Sequence, residues 1–304
     1  MDLNVTFPVS GITTWVFLPP IVAFAVSFFA SMGGVSGAFL LLPFQISFLH
    51  FVSPSVSATN FVYNVVAIPS GVYRYVREGR MVWPLAGVVI VGTLPGVLLG
   101  YYVRVLYLPD PKAFKLFVGF VLLYVGARLL REVFGAQKKG GVLTNFAPGE
   151  KVRRGLYSWR SIKYEFCGER YSFRIPQMLV LAFIVGIVGG IYGIGGGSII
   201  SPFCVSFFGL PVYTVAGAAL LGTFLTSIAG VLFYSINPAQ SGVSTLPDWP
   251  LGILFGLGGL LGMYCGARFQ RHVPQRYIKA MLALMLIFLA VFYALDFFNS
   301  GSGT

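Results

Sequence analysis

The strongest constraint on how this chain can fold is a series of apolar stretches, each long enough to cross the hydrocarbon layer of a bilayer as a helix of about 20 residues. Charged residues make up only 10% of the chain, whereas soluble domains contain about a quarter. The sequence therefore predicts an all-α polytopic membrane protein. The eight apolar stretches are residues 15–50, 53–73, 81–103, 113–134, 176–208, 211–236, 249–267 and 277–298.

The apolar part of the sequence contains an internal repeat. The segment FFASMGGVSGAFLLLPF at 28–44 is similar to VGGIYGIGGGSIISPF at 188–203, and PGVLLGYYVRVLYLPDPKAFK at 95–115 is similar to LGMYCGARFQRHVPQRYIK at 261–279. Two repeated segments in the same order predict two homologous halves. Each half is expected to contain a glycine-broken helical hairpin followed by three transmembrane helices. The proposed domains are a first membrane repeat at 1–134, a linker at 135–175, a second membrane repeat at 176–298 and a flexible tail at 299–304.

The basic residues predict how these segments cross the membrane. The net charge is +12, but Lys and Arg lie in short loops or at the ends of apolar stretches, which argues against a nucleic-acid-binding face. The linker at 135–175 carries nine basic and three acidic residues and is expected in the cytoplasm by the positive-inside rule. If stretches 15–50 and 176–208 cross and return as hairpins, three of the 21 basic residues lie outside, against seven for simple spans. Each half then crosses an odd number of times, which predicts inverted repeats in the cell membrane with both termini outside.

Both hairpin segments are rich in glycine, which lets a helix unwind. Unwound backbone at membrane depth occurs only where it is buried in protein or lines a cavity. Helices that restart at about Ser36 and Ser198 would direct backbone N–H groups and the positive ends of their dipoles at one point, which suits a small anion. Close packing of helices through small residues is the alternative explanation. The candidate substrate-binding residues in these segments are Gly33, Gly34, Ser36 and Gly37, and Tyr192, Gly193, Gly195, Gly196, Gly197 and Ser198.

A polar stripe follows each hairpin segment. In the first half it includes Asn60 and Asn64, which lie one helical turn apart and share a face. In the second half Thr223 aligns with Asn64, and Thr226 and Ser227 continue the stripe. Buried amides and hydroxyls can donate hydrogen bonds to an anion without adding a permanent charge, so Asn60, Asn64 and Thr223 join the candidate site. The same groups could instead bond neighbouring helices to each other.

The sequence argues against catalysis and metal binding. No acidic residue lies deep in an apolar stretch, as a cation transporter would require. The two histidines, His50 and His272, lie at the edges of apolar stretches. The three cysteines form neither a CxxC pattern nor an even disulfide framework. We therefore expect neither enzymatic activity nor a metal or other cofactor.

Three motifs of this chain resemble the TauE/SafE family of sulfite exporters and toluenesulfonate uptake permeases. They are the pair GGVSGAFLLLP and GIGGGSIISP, the SATN stretch after the first hairpin, and a G-x-x-x-G followed by proline and a basic residue at the close of each half. The resemblance covers residues 20–134 and 177–298. It implies a duplicated membrane domain that moves sulfite, sulfoacetate, other sulfonates or small organic anions. The substrate region that it implies consists of Gly33 to Gly37 with Asn60 and Asn64, and Gly193 to Ser198 with Thr223.

The chain departs from the family pattern in two places. Its linker of 41 residues is long and basic, which is suited to a protein partner or anionic lipid. The glycine triplet of the second half is a Val-Ser-Gly in the first. The sequence as a whole predicts a secondary transporter that moves a small sulfur-containing or organic anion by alternating access, in contact with membrane lipid and not with nucleic acid. A homo-oligomer is compatible with this plan. A passive anion channel, and a membrane scaffold that recruits a partner through the linker, are the alternatives.

Overall fold

The structure is a computed structural model that describes residues 3–108, 111–134, 151–236 and 245–299. Most of these residues are helical. The first half of the chain contains α1 (Leu18–Met32), α2 (Ala38–Ser47), α3 (Ser55–Arg77), α4 (Trp83–Leu106) and α5 (Pro111–Phe134). The second half contains α6 (Ile175–Tyr192), α7 (Ile200–Phe208), α8 (Val212–Ile236), α9 (Trp249–Phe269) and α10 (Gln275–Asn299).

Several of these helices are suited to a bilayer. Within the described residues, α4, α6, α8 and α9 are long and apolar enough to cross a membrane, while α1 and α2 are shorter apolar helices. The 23 residues of α3 are long enough to span, but the polar stripe makes this helix less apolar than its neighbours. The chain is therefore a mostly helical polytopic membrane protein.

Two small antiparallel sheets correct the prediction of an all-α chain. Strands β1 (Asn4–Thr6) and β2 (Thr13–Trp15) form a hairpin before α1. Strands β3 (Arg153–Tyr157), β4 (Ser161–Phe166) and β5 (Glu169–Arg174) form a three-stranded sheet within the segment expected to be a linker. The remainder of that linker up to residue 150, and the tail beyond Asn299, lie outside the described residues.

The sequence of the three-stranded sheet explains why it forms. In β4, Ile162, Tyr164 and Phe166 are buried and alternate with exposed or half-buried polar residues, and Tyr171 and Phe173 do the same in β5. This period of two places the apolar side chains on one face of a sheet. The charged residues of this segment predict a linker, but the apolar residues that alternate with them form strands.

The sheet is bonded to the helices on that face. The Val152 N–H donates to the Gly79 carbonyl, just after α3, at 2.9 Å. The Tyr164 hydroxyl lies 2.9 Å from the Thr214 hydroxyl in the first turn of α8. Burial raises the pKa of Tyr164 above its ordinary value, so its hydroxyl stays protonated and neutral. The sheet is thus bonded to the start of α8, and the residue before it is bonded to the turn after α3.

The hairpin of β1 and β2 is attached by Asp248. The Asp248 carboxylate accepts hydrogen bonds from the Ser10 N–H at 2.9 Å and the Ser10 hydroxyl at 2.8 Å. The same side chain caps α9 by accepting from the Leu251 N–H at 3.3 Å. Its own backbone N–H donates to the Thr59 hydroxyl of α3 at 3.0 Å. The carboxylate of Asp248 therefore joins the N-terminal hairpin to the start of α9, and its backbone N–H joins both to α3.

A glycine row brings α9 of the second half against α1 of the first. A β-carbon at any of three glycines spaced four residues apart on α9 would collide with the backbone of α1. The contacts follow the same order along both helices, so α1 and α9 run parallel. The residues in contact are Gly258, Gly262 and Gly266 of α9 and Pro20, Phe24 and Phe28 of α1.

The reciprocal pair, α4 and α6, packs in the same way. Three glycines of α4 lie so close to α6 that a β-carbon would overlap the Ala182 side chain at Gly92 and the α6 backbone at Gly96 and Gly100. The contact residues are Gly92, Gly96 and Gly100 of α4 and Leu179, Phe183 and Ile187 of α6. These residues occupy equivalent positions of the sequence repeat. Each half therefore places its first helix against the fourth helix of the other half.

The third helices of the two halves, α3 and α8, run in opposite directions. Tyr75 near the end of α3 lies against Gly217 near the start of α8, and Phe61 near the start of α3 lies against Gly230 near the end of α8. The contacts between α5 and α10 also follow reversed order. Helices that are equivalent in the sequence repeat are thus antiparallel where they meet.

We predict that Gly96→Ala destabilises the protein, because the new methyl group would meet the immobile backbone of α6. Overpacking of this kind costs about 1–3 kcal/mol. Thermal unfolding of the purified protein in detergent should show a lower Tm than that of the unchanged protein. Gly87→Ala, on the same helix but with nothing within 4 Å of the added atom, is the matched control. Equal Tm values for the two variants would contradict the packing described for α4 and α6.

Candidate functional site

One glycine-rich segment lies between α1 and α2 and the other between α6 and α7, and both contact the opposite half. Gly34 has φ +69° and Gly193 has φ +77°, in the region that favours glycine. A β-carbon at Gly34 would lie 2.7 Å from the Ala216 β-carbon in α8, and one at Gly193 would overlap Ser57 in α3. Gly34 and Gly193 are equivalent in the sequence repeat, and so are Ser57 and Ala216. The two contacts therefore involve residues at matching positions of the two repeated segments.

The Asn64 side chain joins both glycine segments near the middle of α3. Its Oδ1 accepts a hydrogen bond from the Ser36 hydroxyl. Its Nδ2 donates to the Ile194 carbonyl at 3.0 Å and to the Ser227 hydroxyl of α8 at 3.1 Å. Asn64 is fully buried. One amide thus holds segment 33–37, segment 193–199 and α8 together.

Hydroxyl groups of α8 bond the second segment. The Gly196 N–H donates to the Thr226 hydroxyl at 3.2 Å, and the Ser198 hydroxyl lies 3.3 Å from that of Thr223. Ser198 also donates to the Ile194 carbonyl at 2.7 Å. A β-carbon at Gly195 would lie 2.9 Å from Thr223 Cγ2. Thr223 therefore contacts the segment as expected, and Thr226 and Ser227 take part beside it.

The remaining candidate residues also lie in the contact between the segments. The Gly33 carbonyl accepts a hydrogen bond from the Ser201 hydroxyl at 3.3 Å. The Tyr192 hydroxyl donates to the Phe39 carbonyl at 3.1 Å. Gly37 and Gly197 are packed so closely, against the Tyr63 hydroxyl and the Ala219 carbonyl respectively, that neither has room for a side chain. The predicted residues of the two glycine segments, with Asn64 and Thr223, thus contact one another or the neighbouring helices, and most of the polar groups of the predicted site are bonded to protein.

Asn60 is the exception among them. Its side chain is fully buried, but neither its Nδ2 nor its Oδ1 has a hydrogen-bond partner. Gln45, in α2, is buried with both amide atoms unpaired in the same way. Buried polar groups in native proteins are nearly always bonded, so these two amides are available to a ligand. The signal for Gln45 was present in the sequence as a lone amide inside the apolar stretch 15–50.

A family model described as "Sulfite exporter TauE/SafE" matches residues 20–293. The chain belongs to the TauE/SafE family. It is 22% identical over 267 residues to the probable membrane transporter protein YunE of Bacillus subtilis, which covers 84% of this chain and 89% of that protein. A probable membrane transporter protein of Methanocaldococcus jannaschii is 27% identical over 139 residues, 44% of this chain and 48% of the relative. No solved structure matches the chain significantly.

The family match confirms that the chain is a membrane transporter and not an enzyme. Within the part of this TauE/SafE chain that the structure describes, no cluster of three or more His, Cys, Asp or Glu side chains is suited to a metal ion. The site consists instead of amides, hydroxyls and glycine backbone contributed by both halves. Such groups can bind a small anion by hydrogen bonding.

A second polar cluster lies beyond the C-terminal ends of α3 and α9. Arg80 is fully buried and forms an ion pair with Glu78. It donates to Gln270 Oε1 at 2.6 Å, and its guanidinium lies 4.5 Å from the centre of the Tyr75 ring. The Tyr75 hydroxyl donates to the same Gln270 oxygen at 3.1 Å. Here a buried arginine of the TauE/SafE chain has both its counter-charge and its hydrogen-bond partners.

The contrast between the two asparagines gives a stability prediction. Asn64→Leu should lower the free energy of unfolding by about 1–3 kcal/mol, because Ile194, Ser227 and Ser36 would lose a buried partner. Asn60→Leu, a change of the same size, breaks no hydrogen bond within the protein and should leave stability unchanged or raised. The Tm of both variants in detergent tests this difference. An equal loss for the two would show that Asn60 is also bonded within the protein.

Proposed function

We propose that this chain is a secondary transporter that moves a small sulfur-containing or organic anion, of the sulfite, sulfoacetate or sulfonate class, across the cytoplasmic membrane by alternating access. The observation that carries the proposal is the meeting of two glycine-rich segments, one from each half, midway along α3 and α8. Irregular backbone at membrane depth is typical of transporter substrate sites built from discontinuous helices. The family and the probable transporter relatives support the general role.

An uncharged set of donors suits the proposed anion. The starts of α2 and α7 follow the glycine segments directly, so the positive ends of their dipoles favour negative charge nearby. The backbone N–H groups there are partly used, since Ala38 donates to the Ser36 hydroxyl and Gly196 to Thr226. The unpaired amide of Asn60 adds a donor without a permanent charge. Because these donors carry no permanent charge, they bind the anion with moderate strength, and the anion can be released on the opposite side.

We propose that the halves are inverted repeats, with the segment 135–175 in the cytoplasm and both termini outside. The antiparallel contacts of α3 with α8 and of α5 with α10 support inversion, because these helices are equivalent in the sequence. Two parallel repeats would place equivalent helices in the same direction. The charge distribution of the loops supports the orientation.

Alternating access then requires movement between groups of helices drawn from both halves. The glycine rows make α1 with α9, and α6 with α4, into closely packed pairs. These pairs are the natural rigid bodies of the motion, because packing through backbone contact resists separation more than packing of flexible side chains does. One glycine segment follows α1 and the other follows α6, so each pair of helices carries one of the two proposed substrate segments. Rocking of one pair against the other would expose the site to each side in turn.

The proposal is tested by flux into proteoliposomes that contain the purified protein. Sulfite, thiosulfate, sulfoacetate and an aromatic sulfonate are compared with chloride and acetate. Saturable uptake that is accelerated by the same anion on the far side is expected for a carrier. Flux that does not saturate would indicate a passive channel instead of a carrier. No flux from folded protein would favour a scaffold that recruits a partner through its basic segment.

The same assay tests the site residues. Asn60→Leu should reduce flux about tenfold or more, because loss of a hydrogen bond to a charged ligand costs about 1.5–3 kcal/mol and about 1.4 kcal/mol is a factor of ten. Gly196→Ala should have a similar effect, since the added methyl would lie 2.5 Å from the Thr93 β-carbon and displace the segment. Gly87→Ala is the control and should transport normally. Full flux in both site variants would remove these residues from the substrate site.

Inversion is tested by labelling from outside intact cells. In a background in which Cys167, Cys204 and Cys265 are replaced by alanine, Tyr107→Cys and His272→Cys are introduced separately. Both positions are exposed and follow the ends of the equivalent helices α4 and α9. A membrane-impermeant maleimide should label Tyr107→Cys and leave His272→Cys unlabelled until the cells are opened. Labelling of both from outside is the outcome expected for parallel repeats.

A further inference from the structure

Arg104, in the last turn of α4, is a buried charge that the described protein does not neutralise. Its side chain is fully buried. One terminal nitrogen donates to the Leu108 carbonyl, and the guanidinium lies 3.6 Å from the centre of the Phe114 ring. Its Nε and its other terminal nitrogen, Nη2, have no hydrogen-bond partner. No ion pair to Arg104 occurs among the described residues, although a buried charge in a membrane protein is normally paired.

Two unpaired hydroxyl groups lie on the same side of the bundle. The Tyr234 hydroxyl, near the end of α8, is buried, has no hydrogen-bond partner and lies within electrostatic range of Arg104. The Ser57 hydroxyl is its neighbour and has no other hydrogen-bond partner among the described residues. Ser57 in turn contacts Gly193, the first residue of the second glycine segment. We call Arg104, Tyr234 and Ser57 the Arg104 cluster.

The equivalent region at the opposite end of the bundle shows what the Arg104 cluster lacks. In the sequence repeat Tyr234 corresponds to Tyr75, and Arg104 corresponds to Gln270. Tyr75 and Gln270 surround Arg80, whose charge is balanced by Glu78. At one end of the bundle the buried guanidinium has its carboxylate, and at the other end the described residues supply none. Among the described residues Arg104 therefore has no anionic partner.

We propose that the Arg104 cluster binds the oxyanion substrate, as a second anion site between the end of α4 and the glycine segments. This inference rests on the proposed transport of an anion. The Nε and Nη2 hydrogens of arginine form one edge of the guanidinium and can bind two oxygens of a sulfite, sulfonate or carboxylate group together. The hydroxyls of Tyr234 and Ser57 can donate to a third oxygen. This geometry selects oxyanions over a spherical halide.

The position of the cluster also defines a route. Ser57 and Asn60 lie about one turn apart on α3, and Asn64 follows one turn later, so these three residues share one side of the helix. An anion that leaves Arg104 would pass the unpaired Ser57 hydroxyl and the unpaired Asn60 amide before it reaches the Asn64 contact between the glycine segments. Arg104 would attract the anion into the protein, and the uncharged amide would hold it more weakly further along.

The test measures the Tm of the purified protein in detergent as sulfite, thiosulfate or sulfoacetate is added, with chloride at equal ionic strength as the reference. The unchanged protein should show a saturable rise in Tm with at least one oxyanion and none with chloride. Arg104→Gln should lose that rise and, without anion, should melt at the same or a higher temperature, because an unpaired buried charge has been removed. Arg77→Gln removes an exposed charge and should keep the rise.

Two results would overturn the proposal. The first is a normal oxyanion response in Arg104→Gln, and the second is no response of the unchanged protein to any of the three oxyanions. If Arg104→Gln does not fold, Arg104→Lys keeps the charge without the two-nitrogen edge, and its half-saturating oxyanion concentration should rise at least tenfold. An unchanged half-saturating concentration would show that the Nε and Nη2 edge of Arg104 does not bind the anion.

Flux measurements separate this inference from the transport proposal. Saturable flux that is unaffected by Arg104→Gln would leave a transporter whose substrate does not bind Arg104. An oxyanion-dependent Tm that is lost in Arg104→Gln, in a protein with no flux, would leave an anion-binding site without transport.

Discussion

In the hydrocarbon core of a bilayer, every backbone group that a helix releases must be bonded by other protein groups, because no water is there to replace them. This chain interrupts its helices twice in apolar sequence, and the groups that bond the interruptions come largely from the opposite half. Ser201 bonds the Gly33 carbonyl, Tyr192 bonds the Phe39 carbonyl, and Asn64 bonds the Ile194 carbonyl. The halves are therefore distinct in sequence but interdependent in structure.

The same interdependence governs the packing of the long helices. In lipid there is little hydrophobic drive to bring helices together, so close backbone approach through small residues supplies much of the attraction. The glycine rows of α4 and α9 each match a first helix from the other half, and no residue larger than glycine fits at their contact points. Each glycine row thus selects its partner by shape. The polar side chains of α3 are then free to form hydrogen bonds with the glycine segments and with a ligand.

Much of this arrangement is visible in the sequence, for reasons that are local. Apolar length, the repeated glycine segments and the i, i+4 spacing of Asn60 and Asn64 each reflect a single helix or turn, and they point to the residues that the structure brings together. The pairing of α1 with α9 is not visible, since a glycine row reveals that a close partner exists but not which helix it is. The three-stranded sheet was missed because its short alternation is interrupted by charges. The apolar stretch in the sequence ends at residue 103, just before Arg104, whereas α4 continues to Leu106 and buries this residue.

The exchange of contacts between the halves has a consequence for biosynthesis. The first half enters the membrane before its partners have been translated, so its glycine row on α4 and the Gly33 and Phe39 carbonyls have no neighbours at that moment. Until α6 and α7 arrive, the nascent chain must occupy a state in which these groups are bonded otherwise, by lipid headgroups, by water or by the insertion machinery. Assembly of the contact between the two glycine segments is consequently a late event, which can be completed only after the second half has been inserted.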